Sequence, residues 1–500
     1  MYISIFTKSL NRNKVIKGGS PTVASRVGRG GVIMKEKERV EAERMYHTVR
    51  ETLISLVDTN FSPDYSRRIS TLSSNALATV LADHALFHHS EKTTQWIQQN
   101  AQGMNIVGIP SILSESSSFM VAIFAVLEKV CEFSLPPLVQ ERMPPAKDIV
   151  KLLVYPYSSN TSYLLPLHLA CVALSFSMKG TKADHLVQMV SDLQQPDGSW
   201  TDDVIITALC ALALHQAGAE PMYSAREWLK KEQLPDSSWA ACNGEVWEAS
   251  YALKTGEVPH EKLVSVLEKS VHPNYWWGFS RYAVPDTDDT AAACCALQPY
   301  NPHLTDAVLK NLVKVQDEDG GWGTFPDIKG VVPHESVEEN TKLKSNDITC
   351  HVLEALWRSN PKGEPFKRGI SYLLETQDKD GYWKTTWWRS NIYGTAEIAS
   401  LMNQNKYTEP ASHALAWLEK KLTQHLNTVE YALLIKAFSE HPEYSDSLDE
   451  AVTSFIEHCR SGILAPTFDS VYFAGLIDLK VHRLSLVVDS LHTLLKRENV

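Results

Sequence analysis

No two of the eight cysteines form a CxxC pair, and most sit in apolar stretches. That argues against a zinc ribbon, a redox motif or a disulfide frame and fits reduced, buried thiols. Long apolar runs are missing too: the longest, 204–214 and 119–127, are too short to cross a bilayer. No secretory signal with a cleavage site is recognisable, so the chain reads as soluble and cytoplasmic, with no transmembrane segment. Basic residues form no stripe along the main body and the net charge is −11, so nucleic acid is not an expected partner. Strand signals are scarce. Residues 1–33 lack any acid while carrying Lys8, Arg12, Lys14, Lys17, Arg26 and Arg29. This segment reads as a disordered basic tail whose removal changes neither stability nor rate.

What is present is helical. Val40, Met45, Val49, Leu53 and Val57 follow a helical period, which predicts a helix over 36–58. From about Ser70 to Met178 apolar helical segments alternate with polar connections, so the body reads as all-α. A repeat of the form QxxxGxW follows, starting at Gln194, Gln233, Gln316 and Gln377 and ending at Trp200, Trp239, Trp322 and Trp383. Ser237 replaces the glycine once. The glycine permits a tight turn after a helix, the glutamine can bond free backbone groups, and the tryptophan can stack near the next helix start. One copy is a turn with a tryptophan; four, spaced 39, 83 and 61 residues apart by their glutamines, predict helical hairpins closed into α/α barrels.

Between the second and third copies lies Val284-Pro285-Asp286-Thr287-Asp288-Asp289-Thr290, with three carboxylates in four residues and no lysine or arginine among them. Pro285 precedes a plausible helix start, where free N–H groups and the helix dipole favour negative charge, so an acidic N-cap on a buried helix is one reading. Taken with the repeats, it is also the second half of a family signature.

QxxxGxW repeats with a D-x-D-D box resemble the class II terpene cyclases, over roughly residues 70–490. The resemblance is to the squalene-hopene cyclase family and to its short bacterial forms that act on prenyl diphosphates. Asn346-Asp347 to His351-Val-Leu-Glu354 is similar to the family's helix carrying the histidine partner of the acid, and Val246-Trp247-Glu248 to its cavity tryptophan followed by an acid. Trp383 to Thr395 is similar to a cavity-wall segment, and 465–479 to the C-terminal end of the short cyclases. A fifth, C-terminal repeat is missing. The chain is also more than a hundred residues shorter than a typical squalene-hopene cyclase, which points to a C15 or C20 substrate. The resemblance implies a β barrel over 240–500 plus the 36–58 helix, carrying the acid, and a truncated γ-like barrel over 60–239.

Protonating an isolated alkene needs a far stronger acid than a free carboxyl of pKa about 4. A cationic partner stabilises the carboxylate form, while neighbouring carboxylates resist a second negative charge. By resemblance Asp288 is the acid, flanked by Asp286 and Asp289, with His351 as partner. Asp347 lies one helical turn before His351 and is expected to hold the other imidazole nitrogen, Glu248 completing that shell. The migrating cation needs aromatic faces and no nucleophile; Trp247, Trp387, Tyr393, Phe279 and Tyr282 are the candidates, ordinary core packing being the alternative for each. Asn346-Asp347 to Glu354 nearly fits the magnesium box of the class I synthases, but Cys350 replaces its hydroxyl and no DDxxD accompanies it; Asp202-Asp203-Val-Ile-Ile lacks the last aspartate. Ionisation of a diphosphate is therefore rejected.

The resulting expectation is protonation and cyclisation of a linear prenyl diphosphate to a bicyclic product of drimenyl or copalyl type, the diphosphate retained. Lys384 and Arg389, with Arg281 behind them, are the head-group candidates, and Mg²⁺ is implied only if the substrate is a diphosphate. Metal ligands and oligomeric state stay open. The rivals are a neutral polyprene or prenylated aromatic as substrate, and a non-catalytic α/α barrel that binds an isoprenoid.

Overall fold

Six helices close into a ring: Glu245–Lys254, Thr287–Leu297, Asn346–Ser359, Ile392–Gln404, Thr428–Ser439 and Lys480–Glu498 each pack on the next, and the last returns to the first. His260–Ser270, Pro302–Lys314, Glu364–Thr376, Thr408–Glu419, Ser445–Cys459 and Glu36–Asn60 pack outside it. This is a computed structural model that describes residues 36–62, 72–87, 90–100, 125–131, 165–177, 180–325, 344–460, 462–472 and 475–498. The basic segment 1–33 and much of 101–164 lie outside those residues.

Composition decides which helix is inner and which is outer. Every residue of Thr287–Leu297 is buried, as a helix covered on all sides requires. Glu364–Thr376 instead buries Phe366, Gly369, Ile370, Tyr372 and Leu373, one stripe at helical spacing, and turns its polar face to water. A second helical layer contains Ala76–Leu86, Leu165–Ser177 and Val204–Gln216, the last buried from Val204 to Leu214, side by side, with Asp184–Asp192 and Met222–Lys231 outside. Among the described residues strand is confined to two short hairpins, Trp322–Gly323 with Lys344–Ser345 and Ser470–Tyr472 with Gly475–Ile477. The architecture is all-α, of the α/α-barrel kind.

The tryptophan repeat is the fastener between outer and inner helices. Each Trp indole N–H donates to the carbonyl ten residues earlier, at the end of the preceding outer helix: Trp200 to Val190, Trp239 to Leu229, Trp322 to Leu312 and Trp383 to Leu373, all at 2.7–2.8 Å. Each Trp amide donates to a buried threonine of an inner helix, namely Thr207, Thr79, Thr349 and Thr395. Gln316 and Gln377 tie the turn to the next outer helix through the Pro365 and Pro410 carbonyls.

Trp277 makes the same bonds, from its indole to Leu267 at 2.8 Å and from its amide to Thr290 at 2.9 Å. A fifth fastener therefore sits inside the 83-residue gap, unseen in the sequence because Val271 stands where glutamine is expected and Tyr275 where glycine is. Tyr275 adopts φ 63°, the left-handed conformation that Gly198, Gly320 and Gly381 adopt at the other turns. Thr290 closes the acidic stretch, so this fastener also sets the position of the acids.

Candidate active site

Asp286 is the N-cap of the Thr287–Leu297 helix. Its amide donates to the Trp277 carbonyl at 2.9 Å, and its carboxylate accepts from the Asp289 amide at 2.8 Å. Burial pushes both Asp286 and Asp289 upward, and the negative charge of neighbouring aspartates adds to the shift. Of the three, Asp288 is the member with a cationic partner.

That partner is His351, on the neighbouring inner helix. Its Nδ1 lies 2.5 Å from Asp288 Oδ1, and its Nε2 lies 2.9 Å from Glu397 Oε2 and 3.3 Å from the Tyr251 hydroxyl. Burial alone would strip His351 of its proton; the two flanking carboxylates more than offset this and hold its pKa well above the ordinary value. Each ring nitrogen thus faces a carboxyl oxygen, the arrangement that suits an imidazolium donating from both.

Asp347 is not the group on the second nitrogen. Its carboxylate is taken by the Ser345 hydroxyl and by the Thr386 and Trp387 amides, so it anchors the loop that carries Trp387. Glu248 is also directed elsewhere, accepting from the Val481 amide at 2.7 Å. Glu397, which sequence reasoning missed, occupies the place expected of them. It lies one turn after Tyr393 on the same inner helix, a signal visible only once that helix is known to face His351. The apparent magnesium box is engaged as well: Asn346 bonds Thr376 and the Lys384 carbonyl, and Glu354 pairs with Lys254 at 2.7 Å.

Asp288 opens on a cleft between the ring and the second helical layer, holding about 960 Å³ of unfilled space counted out to its open mouth. Trp247, Phe279, Trp387 and Trp388 line it beside the three aspartates, with Ile206, Ile477 and Leu479 on the far walls. Phe279 lies so close to Gly244 that a Cβ there would meet its ring at 2.7 Å, so glycine at 244 makes room for it. Trp387 is fixed by its indole N–H, 2.9 Å from the Thr324 hydroxyl.

Two aromatic candidates lie off the wall. Tyr393 is behind Trp388, stacked on it at 3.7 Å, its hydroxyl bonded to Tyr251 at 2.8 Å and to His482 at 3.2 Å. Tyr282 faces Arg281, whose guanidinium is 5.3 Å from its ring. Trp388, adjacent to the predicted Trp387, is the wall residue that the sequence reading passed over.

Lys384 and Arg389 are exposed, and neither lines the cleft. No lysine or arginine is part of its described wall. Nor does any group of three His, Cys, Asp or Glu suited to a metal occur among the described residues. No helix among the described residues is long and apolar enough to cross a membrane.

Barrel and site together are similar to those of terpene cyclases. Residues 249–426 match the squalene-hopene cyclase C-terminal domain. The chain is 27% identical over 215 residues to the squalene-hopene cyclase of Alicyclobacillus acidocaldarius, 39% of this chain and 30% of that protein. It is 32% identical over 132 residues to the sporulenol synthase of Bacillus subtilis, 24% and 21% of the two chains. The chain is thus similar to less than a third of the length of either relative. In fold it resembles the ent-copalyl diphosphate synthase of Streptomyces platensis, with a TM-score of 0.56 and 15% identity over 91% of this chain and 99% of that one. These similarities support a class II terpene cyclase.

Proposed function

We propose that the protein protonates a terminal alkene of a linear isoprenoid and cyclises it, the substrate being a C15 or C20 prenyl diphosphate whose diphosphate stays attached. The observation that carries this reading is the Asp288–His351 contact at 2.5 Å beside an aromatic-walled cleft. Asp288 Oδ1 accepts from His351, so the carboxylic proton resides on Oδ2. The alkene π pair takes that proton, a C–H bond forms, and the new carboxylate is stabilised by the imidazolium. The cation that spreads along the chain meets the faces of Trp247, Trp387, Trp388 and Phe279, each contact contributing up to about 2 kcal/mol where water is excluded. The ring over 240–500 with the 36–58 helix supplies the acid, and the layer within 60–239 supplies the opposite wall.

One observation favours a second reading, a neutral polyprene: the described wall carries no lysine or arginine. Incubation with C15 and C20 prenyl diphosphates and with squalene, followed by dephosphorylation and product analysis, separates the two. Cyclised diphosphate that diminishes with EDTA supports the first; a cyclised hydrocarbon alone replaces it with the second. Asp288→Asn abolishes turnover in either case, with an unchanged circular dichroism spectrum. Substantial activity in that variant would sink the acid assignment.

A further inference from the structure

A second cavity lies on the side of His351 away from the cleft. His351 and Glu397 line it together with Tyr251, Lys254, Glu354, Lys436 and Asp489. The Glu397 side chain is 19% exposed whereas His351 is 3% exposed, so the carboxylate is the contact between the imidazolium and this polar space. The cations of the cavity have other partners: Lys254 pairs with Glu354 at 2.7 Å, Arg358 lies 4.0 Å from the same carboxylate, and Lys436 pairs with Asp489 at 2.6 Å.

A buried imidazolium needs one counter-charge. If Asp288 were its only carboxylate partner, the stable form would be an ion pair, and an ionised Asp288 has no proton to give. We propose that Glu397 is the counter-ion of His351, so that Asp288 remains a neutral acid while still receiving the imidazolium hydrogen bond. The imidazolium and Glu397 then sum to zero, and Asp288 keeps its proton on Oδ2. Glu397 lines the second cavity and not the cleft that the substrate would fill. Glu397 is a positioning residue, acting on the alkene only through His351 and Asp288.

The other groups facing His351 are consistent with this arrangement. From the Glu245–Lys254 helix come the Tyr251 hydroxyl and Lys254, the latter held by Glu354. The Lys480–Glu498 helix presents His482, which burial and the nearby positive charge of His351 hold neutral, and Asp489, paired with Lys436 of Thr428–Ser439. Tyr393 comes from the helix of Glu397 itself, and Asp347 and Glu354 from that of His351, both already bonded elsewhere. Glu397 is therefore the carboxylate left over for the imidazolium.

This inference rests on the proposed function, and the experiments separate the two. In Glu397→Gln the amide keeps the shape but not the charge, so Asp288 becomes the counter-ion and loses its proton. kcat should fall about a hundredfold with KM changed less than about threefold, and the alkaline limb of the kcat profile should move about one to three pH units toward acid. Glu397→Asp should restore part of the rate, since it returns the charge. If Asp288→Asn is dead while Glu397→Gln keeps wild-type kcat and pH profile, the counter-ion proposal falls and the acid assignment stands. The ¹⁵N resonances of His351 test the same point without a substrate: imidazolium through pH 8 in the wild type is expected, and a neutral ring at pH 7 would overturn the proposal even if no variant folds.

Discussion

The backbone amide of Trp277 donates to the Thr290 hydroxyl at 2.9 Å, and that hydroxyl donates to the Trp277 carbonyl at 3.0 Å. The two residues bracket the acids and pin the start of their helix to the end of an outer one. Thr290→Val keeps the volume but leaves the buried Trp277 N–H without its partner, at about 1–3 kcal/mol, while the Trp277 carbonyl keeps the Asp286 amide. The variant should melt several degrees lower and lose activity in parallel, which differential scanning calorimetry beside a turnover assay would record. An unchanged melting temperature would show that the fastener does not hold the acids.

Stability should decline from pH 6 to pH 8.5. Burial, aided by the Asp478 charge, pushes Glu248 up to about 8 despite the bond from the Val481 amide. Burial likewise raises Asp203, Asp289 and Asp469. A carboxyl whose folded pKa exceeds its unfolded value contributes stability that is full below the unfolded pKa and is lost as pH rises through the folded one. Glu354, drawn down to about 2 by Lys254 against its own burial, works the other way, but only below the ordinary carboxyl range. Melting temperatures across that window should therefore fall, and Glu248→Gln, whose amide oxygen can still accept from Val481, should flatten the slope. A melting temperature that rises toward pH 8.5 would contradict this.

The aromatic wall predicts a difference between two stacked neighbours. Trp388 lines the cleft and Tyr393 lies behind it. Trp388→Leu should lower kcat about ten- to thirtyfold and release partly cyclised products, because a cation–π contact of up to about 2 kcal/mol is gone. Tyr393→Phe loses bonds to Tyr251 and His482 but no wall surface, so the product pattern should stay the same while the melting temperature drops. Identical product patterns in wild type and Trp388→Leu would remove Trp388 from the cation path.

Lys384→Ala and Arg389→Met should each leave kcat/KM for a prenyl diphosphate within about twofold, since both side chains are exposed and off the cleft wall. A thirtyfold rise in KM for either would mean that it reaches the head group.

The helical class, the hairpin repeat, and the pairing of the Asp288 box with His351 were legible in the chain because turn chemistry and helical periodicity are local properties. Gly198, Gly320 and Gly381 announce their turns by residue type alone. Tyr275 makes the same turn without announcing it, because a non-glycine residue adopts positive φ only where surrounding contacts enforce it. The second partner of His351 was equally hidden. Asp347 is near in sequence and on the right helical face, yet the Ser345 hydroxyl and the Thr386 and Trp387 amides claim its carboxylate, while Glu397 arrives from 46 residues away on another inner helix. Lys384 and Arg389 flank Trp387 in sequence, but the chain turns them outward. Helical period and turn type depend on a few consecutive residues, so the sequence alone determined them; which carboxylate meets an imidazole, and which face of a loop meets a cleft, depends on how whole helices close into a ring, and only the tertiary structure decided that.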